Sequence, residues 1–176
     1  WSTALKNIKL KKYYELTGVR QNGASDFIED EVRRTLKKEK IGEKCIGDFF
    51  WDEENKEAVN IKSIDLDRKF HMPNLVSAKK AYDFLLNPEH DLCFLFVKYR
   101  NLSDKLEIVE TTVKHIEELD SLVIYAQGEG VIQLKKFEYR PKVARQRWLN
   151  EFKALMSEFI DREQAKWKLR TEYYQL

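Results

Sequence analysis

Cys45-Ile-Gly-Asp-Phe-Phe-Trp-Asp-Glu-Glu-Asn-Lys-Glu-Ala-Val-Asn-Ile-Lys-Ser63 is the stretch on which the reading of the fold turns. Two runs rich in aromatic and β-branched residues flank a polar gap at 52–56, the pattern of a β-hairpin with a longer loop. With 52–56 as the loop, Trp51 pairs with Glu57, and counting back sets Asp48 opposite Asn60. Side chains alternate faces along a strand, so Asp48, Asn60 and Lys62 share one face. A carboxylate, an amide oxygen and an ammonium then converge, a layout suited to holding a hard divalent cation against a phosphate.

Residues 5–16 are basic and aromatic and fit a helix loosely, ending in the turn Gly18-Val-Arg-Gln-Asn-Gly23. Arg20, Gln21 and Asn22 make that turn donor-rich, fit for a phosphate backbone or groove as well as for a solvated connector. Ser25 reads as the N-cap of a helix running toward Lys40, with acids in its first turns and Arg33, Arg34, Lys37 and Lys38 at its basic end. Beyond the hairpin, a polar crossover runs to Pro73, and the spacing predicts a helix over 74–86 closed by Asn87-Pro88. Leu92-Cys-Phe-Leu-Phe-Val97 is continuously apolar over a strand's length, which predicts a central strand buried on both faces.

A second, antiparallel strand is expected over 106–111 and a short helix over 112–119, with His115 on its surface. Two more strands, 121–127 and 131–139, flank Gly128-Glu-Gly130, a tight-hairpin signal. Lys135, Lys136, Arg140, Lys142, Arg145 and Arg147 form the densest basic cluster, either a solvated face or a set of phosphate contacts. The final segment, 143–174, places Trp148, Phe152, Leu155 and Phe159 at i, i+4, i+7 and i+11, one broad stripe for the core or a dimer seam.

Composition narrows the class. A chain of 176 residues can bury a real core, and 43% hydrophobic with 35% charged residues excludes disorder. No apolar run approaches the roughly 18 residues of a spanning helix, so no membrane is expected. Trp1 opens the chain without a methionine, which reads as a trimmed or partly ordered product. Cys45 and Cys93 both sit in apolar runs, as small buried hydrophobes of a reducing cytoplasm. A net charge of +2 means that any nucleic acid would be met by local clusters. Gly-rich phosphate loops, Cys/His zinc spacings and Gly-x-Ser-x-Gly elbows are absent from the sequence. The element pattern is α+β, α/β/α-like: one helix, a mixed central sheet led by the hairpin and flanked by helices, and a long C-terminal helix. It divides as an N-terminal basic segment (1–23), a sheet core (24–142) and the last helix (143–176), within a single domain.

Asp48 followed by Asn60-Ile61-Lys62 resembles the Asp…(Asp/Glu)-x-Lys signature of the PD-(D/E)xK nucleases. Lys62-Ser63 followed by Met72-Pro-Asn-Leu-Val-Ser-Ala78 is similar to the HincII group of type II restriction endonucleases, where Pro-Asn-Ile-Ile-Ser-Ala follows Asp-Val-Lys-Thr. The similarity runs on at low identity through Val131-Ile-Gln-Leu134 and Arg147-Trp-Leu-Asn-Glu-Phe152. It implies a restriction-endonuclease-like fold and Mg²⁺-dependent, sequence-specific cleavage of double-stranded DNA by a homodimer. Asp48, Asn60 and the carbonyl of Ile61 would hold the metal, with Lys62 beside the attacking water. His71, Met72, Asn74 and Ser77 would lie along the DNA, Asn74 reading adenine or capping a helix and Met72 acting as an apolar wedge. Tyr125, Gln127, Lys135 and Arg140 are further contact candidates. Asn60 departs from the family, which places an acid there. A weakened or silent DNA-binding protein of nuclease fold, and a structure-specific repair nuclease, therefore remain open beside the restriction enzyme.

Overall fold

The structure is a computed structural model, and it describes residues 23–36, 49–52, 55–68, 72–102 and 106–174. In chain order the elements are α1 (Gly23–Thr35), β1 (Phe50–Asp52), β2 (Glu57–Asp65), β3 (Asn74–Ser77), α2 (Ala78–Leu85), β4 (Asp91–Asn101) and β5 (Leu106–His115). A 3-10 turn (Ile116–Glu118), β6 (Leu122–Tyr125), β7 (Val131–Leu134) and α3 (Arg145–Tyr174) complete them. The content is α+β with a mixed sheet and a long C-terminal helix, as the sequence pattern implies. Two compact units divide it. One combines the described residues before Met72 with Glu89–Ile116, and the other combines Met72–Pro88 with the chain from Glu117 onward.

The first unit is a four-stranded sheet in the order β1-β2-β4-β5, with β2 and β4 parallel and the other neighbours antiparallel. Leu92 to Val97 of β4 are all buried, which explains their unbroken apolar run: both faces of this strand are covered. On one face, Val59, Ile61, Cys93 and Leu95 form a cluster with Ile28 and Val32 of α1. Each such aliphatic side chain taken out of water contributes about 1.5–3 kcal/mol, so this face anchors the unit. β2 and β4 run parallel and cannot be joined by a tight turn, and the connection between them carries β3 and α2.

The second unit holds the sheet β3-β7-β6, antiparallel throughout. Gly128 and Gly130 both have positive φ, +56° and +99°, and close the β6–β7 turn that the glycines forecast. Tyr82 of α2 stacks on Phe152 of α3 with ring centroids 6.1 Å apart, and Phe152 stacks in turn on Trp148 at 5.0 Å. The apolar stripe of α3 is core only at its start: Trp148, Leu149 and Phe152 are buried, whereas Trp167 and Leu169 are exposed.

Several boundaries differ from the sequence expectation, chiefly where strand pairing overrides local preference. α1 starts at Gly23, so Ser25 lies inside its first turn rather than capping it. The helix expected over 74–86 is divided. Asn74–Ser77 is drawn into β3 by pairing with β7, and α2 begins only after Ser77, whose hydroxyl accepts from the Lys80 amide at 3.4 Å. The expected helix over 112–119 shrinks to the 3-10 turn because β5 runs on to His115. Thr111, Thr112 and Val113 are β-branched and pair with β4, which favours the extended form. β6 and β7 have four residues each, and Tyr139 keeps only a single bridge to Leu119.

Candidate functional site

The register of β2 differs by one residue from the one deduced by counting. Trp51 faces Ala58, not Glu57, and Asp52 belongs to the strand and faces Glu57. The loop is therefore shorter than 52–56. Lys56 closes it with a left-handed φ of 54°, and Asn55 Nδ2 donates to Asp52 Oδ2 at 3.1 Å. A one-residue slip exchanges faces, so the count that set Asp48 opposite Asn60 no longer holds. Asp48 itself lies outside the described residues, as do Arg20, Gln21, Asn22 and His71.

Asn60 and Lys62 do share a face of β2, and Ile61 points the other way, into the cluster with α1. Sheet register extends that face in rows: Asn60, Phe94 and Lys114; then Lys62, Phe96 and Thr112; then Ile64, Lys98 and Glu110. Asn60 is only 4% exposed and Lys62 is half-buried. Lys98 Nζ donates to Glu110 Oε2 at 2.9 Å and Thr112 Oγ1 to Glu110 Oε1 at 3.0 Å. The hydrogen bond from Lys98, then that from Thr112, holds the Glu110 carboxyl below its usual range. Glu110 and Lys98 are thus an oriented pair that the sequence did not disclose. They stand twelve residues apart and meet only through the β4–β5 pairing.

Among the described residues, the Asn60 and Lys62 rows carry no carboxylate. A hard dication such as Mg²⁺ takes oxygen ligands and usually one or two carboxylates. The Asn60 amide fits as one neutral oxygen donor. The anionic donor must come from elsewhere, and Asp48 is the sequence candidate.

The second unit brings together three amides. Asn74 faces Gln133 across β3 and β7, and its Oδ1 accepts from Gln133 Nε2 at 2.6 Å. Asn74 Nδ2 lies 3.4 Å from Gln127 Oε1, in the turn that follows β6. A register shift between Asn74 and Val76 sets this end of β3 off the regular ladder, and Asn74 remains exposed. Helix capping belongs to Ser77, so Asn74 is not an N-cap. Tyr125 and Met72 are exposed at 54% and 44%. Gln133 carries no sequence signal of its partner, because it is a glutamine inside an apolar run. Lys135 is exposed. Arg140, by contrast, is engaged within the unit: Nη2 donates to Glu151 at 2.6 Å and Nε to the Glu117 carbonyl at 3.3 Å.

No protein-family model matches the chain, and no curated protein matches it. Among solved structures it is similar to NlaIV restriction endonuclease, with a TM-score of 0.46 and 10% identity over 65% of this chain and 53% of that one. The chain spans about half the length of that structure. Among the described residues, no helix is long and apolar enough to cross a membrane.

Proposed function

We propose that this protein is a Mg²⁺-dependent endonuclease of double-stranded DNA, of the type II restriction class with a PD-(D/E)xK-like site, acting as a homodimer. One observation carries the reading. A central strand of the first unit places a buried amide and a half-buried lysine at consecutive positions of one face, Asn60 and Lys62, where packing alone would favour apolar residues. Breaks of the apolar pattern inside a core strand are expected where chemistry requires them.

In this reading, with Asp48 taken from the resemblance to the Asp…(Asp/Glu)-x-Lys signature, Asp48, the Asn60 amide oxygen and the Ile61 carbonyl would hold the ion. The chemistry supplied by a bound Mg²⁺ is polarisation of the phosphodiester and acidification of a bound water. Lys62 would stand beside the scissile phosphate, orient the attacking water and offset negative charge on the phosphate oxygens. Asn74, steadied by Gln133 and Gln127, offers an amide edge that matches adenine in the major groove. Exposed Met72 and Tyr125 are the further DNA-contact candidates of this reading.

The test is Mg²⁺-dependent cleavage of mixed-sequence plasmid DNA by the wild type and by Asn60→Asp, Lys62→Ala and Asp48→Ala. Discrete fragments that strengthen in Asn60→Asp and vanish in the other two support a restriction enzyme. Structure-dependent nicking points to a repair nuclease. DNA binding with no cleavage even in Asn60→Asp favours the silent binding protein, a reading that the neutral amide itself supports. Full cleavage by Asp48→Ala refutes the assignment.

A further inference from the structure

Sheet register assembles a second cluster, on the opposite face of the first unit from Asn60 and Lys62. The parallel pairing of β2 with β4 sets Glu57 beside Asp91, and the antiparallel pairing of β4 with β5 sets Cys93 beside His115. Cys93 Sγ lies 3.3 Å from His115 Nδ1. Asp91 Oδ2 is 3.7 Å from the same ring nitrogen, and Glu57 Oε1 is 3.6 Å from Nε2. One ligand atom each from Glu57, Cys93 and His115 fall within 4.8 Å of one another. Cys93 is fully buried, and Glu57, Asp91 and His115 are only partly exposed.

Those distances carry chemical information. Contacts of 3.6–3.7 Å between nitrogen and oxygen are too long for good hydrogen bonds. The 3.6 Å between Glu57 Oε1 and His115 Nε2 matches the edge of a tetrahedron whose corners stand about 2.0–2.3 Å from a central zinc, an edge of about 3.3–3.8 Å, while Asp91 faces the other ring nitrogen. Thiolate, imidazole and carboxylate are together the ligand set of a borderline-soft dication, whereas Mg²⁺ takes oxygen alone. A dication would also neutralise two carboxylates crowded around one imidazole.

We propose that Glu57, Cys93 and His115 form a binding site for a Zn²⁺-class transition metal. Asp91 is the positioning residue: with Nε2 given to the metal, its carboxylate stands at Nδ1, where it would orient the imidazole, as carboxylates do behind metal-bound histidines. The site ties the first residues of β2 and β4 to the last of β5, so loading it locks three strands in register. It is independent of the nuclease reading, because it uses none of the residues assigned to that chemistry.

The probe is Co²⁺ or Zn²⁺ alone, added to the full chain stripped with chelator, in a Cys45→Ser background that leaves Cys93 as its single thiol. One equivalent of Co²⁺ should bind with a sulfur-to-cobalt charge-transfer band in the near ultraviolet. Cys93→Ser should abolish that band, and His115→Ala should weaken Zn²⁺ binding by about 100-fold. Asp91→Asn should keep the band and lose about tenfold in affinity, within the range typical of outer-sphere partners. Zn²⁺ should raise the melting temperature of the wild type but not of Cys93→Ser. Melting of both in EDTA verifies that the variant still folds. Absence of stoichiometric binding by the parent protein, or a band and affinity unchanged in Cys93→Ser and His115→Ala, overturns the assignment.

Discussion

Replacing Asn60 by aspartate tests the β2 face through stability, without a DNA substrate. At 4% exposure, a new carboxylate at this position is almost wholly desolvated. A buried charge without compensation costs about 3–5 kcal/mol. Lys62 stands two residues along the same face, about 6.7 Å away at a rise of about 3.3–3.4 Å per residue. At that separation and an effective dielectric of about 20, an opposite charge returns about 2.5 kcal/mol. Asn60→Asp should therefore lose about 1–2 kcal/mol in EDTA near neutral pH, and Asn60→Asp combined with Lys62→Met about 3–5 kcal/mol. Desolvation raises the folded-state pKa of the new acid above its unfolded value of about 3.9, so the penalty develops as pH rises through the folded value. It disappears below about pH 4, where the acid is neutral in both states. If the face binds Mg²⁺, adding the ion at 100 times its Kd returns about 2.7 kcal/mol to Asn60→Asp. Urea denaturation with and without Mg²⁺ measures each quantity. A variant as stable as the wild type in EDTA at neutral pH, and unmoved by Mg²⁺, would refute the idea of a dry, metal-competent face.

Three further outcomes follow from other parts of the molecule. Glu117 is fully buried against Arg145, whose Nη1 also donates to the Leu85 carbonyl at 3.3 Å. Arg145→Met should cost about 3–5 kcal/mol in urea denaturation, and Glu117→Met in the same chain should recover most of it. Gly130 has φ +99°, and a β-carbon there would meet Ile124 Cγ2 at 3.0 Å, so Gly130→Ala should cost about 2 kcal/mol in the same assay. Glu110, with its pKa depressed by Lys98 and Thr112, contributes stability above the ordinary carboxylate range and loses it as pH falls through the depressed value. The wild type should thus exceed Glu110→Gln by less than about 1 kcal/mol at neutral pH, with the gap closing in acid and shrinking in salt, because the pair is half exposed.

Local chemistry was enough to read the apolar run of β4, the glycine turn between β6 and β7, the long terminal helix and the shared face of Asn60 and Lys62. Each depends on neighbours within a few residues, through side-chain alternation, backbone conformation or helical period. Strand register was beyond it: a shift of one residue in the β1–β2 pairing alters no local preference, yet it exchanges faces and removes the counted position of Asp48. The same holds for the contacts of Glu110 with Lys98, Asn74 with Gln133 and Cys93 with His115. Their partners lie 12, 59 and 22 residues apart, and only the pairing of strands, fixed by burial of the sheet as a whole, chooses who meets whom.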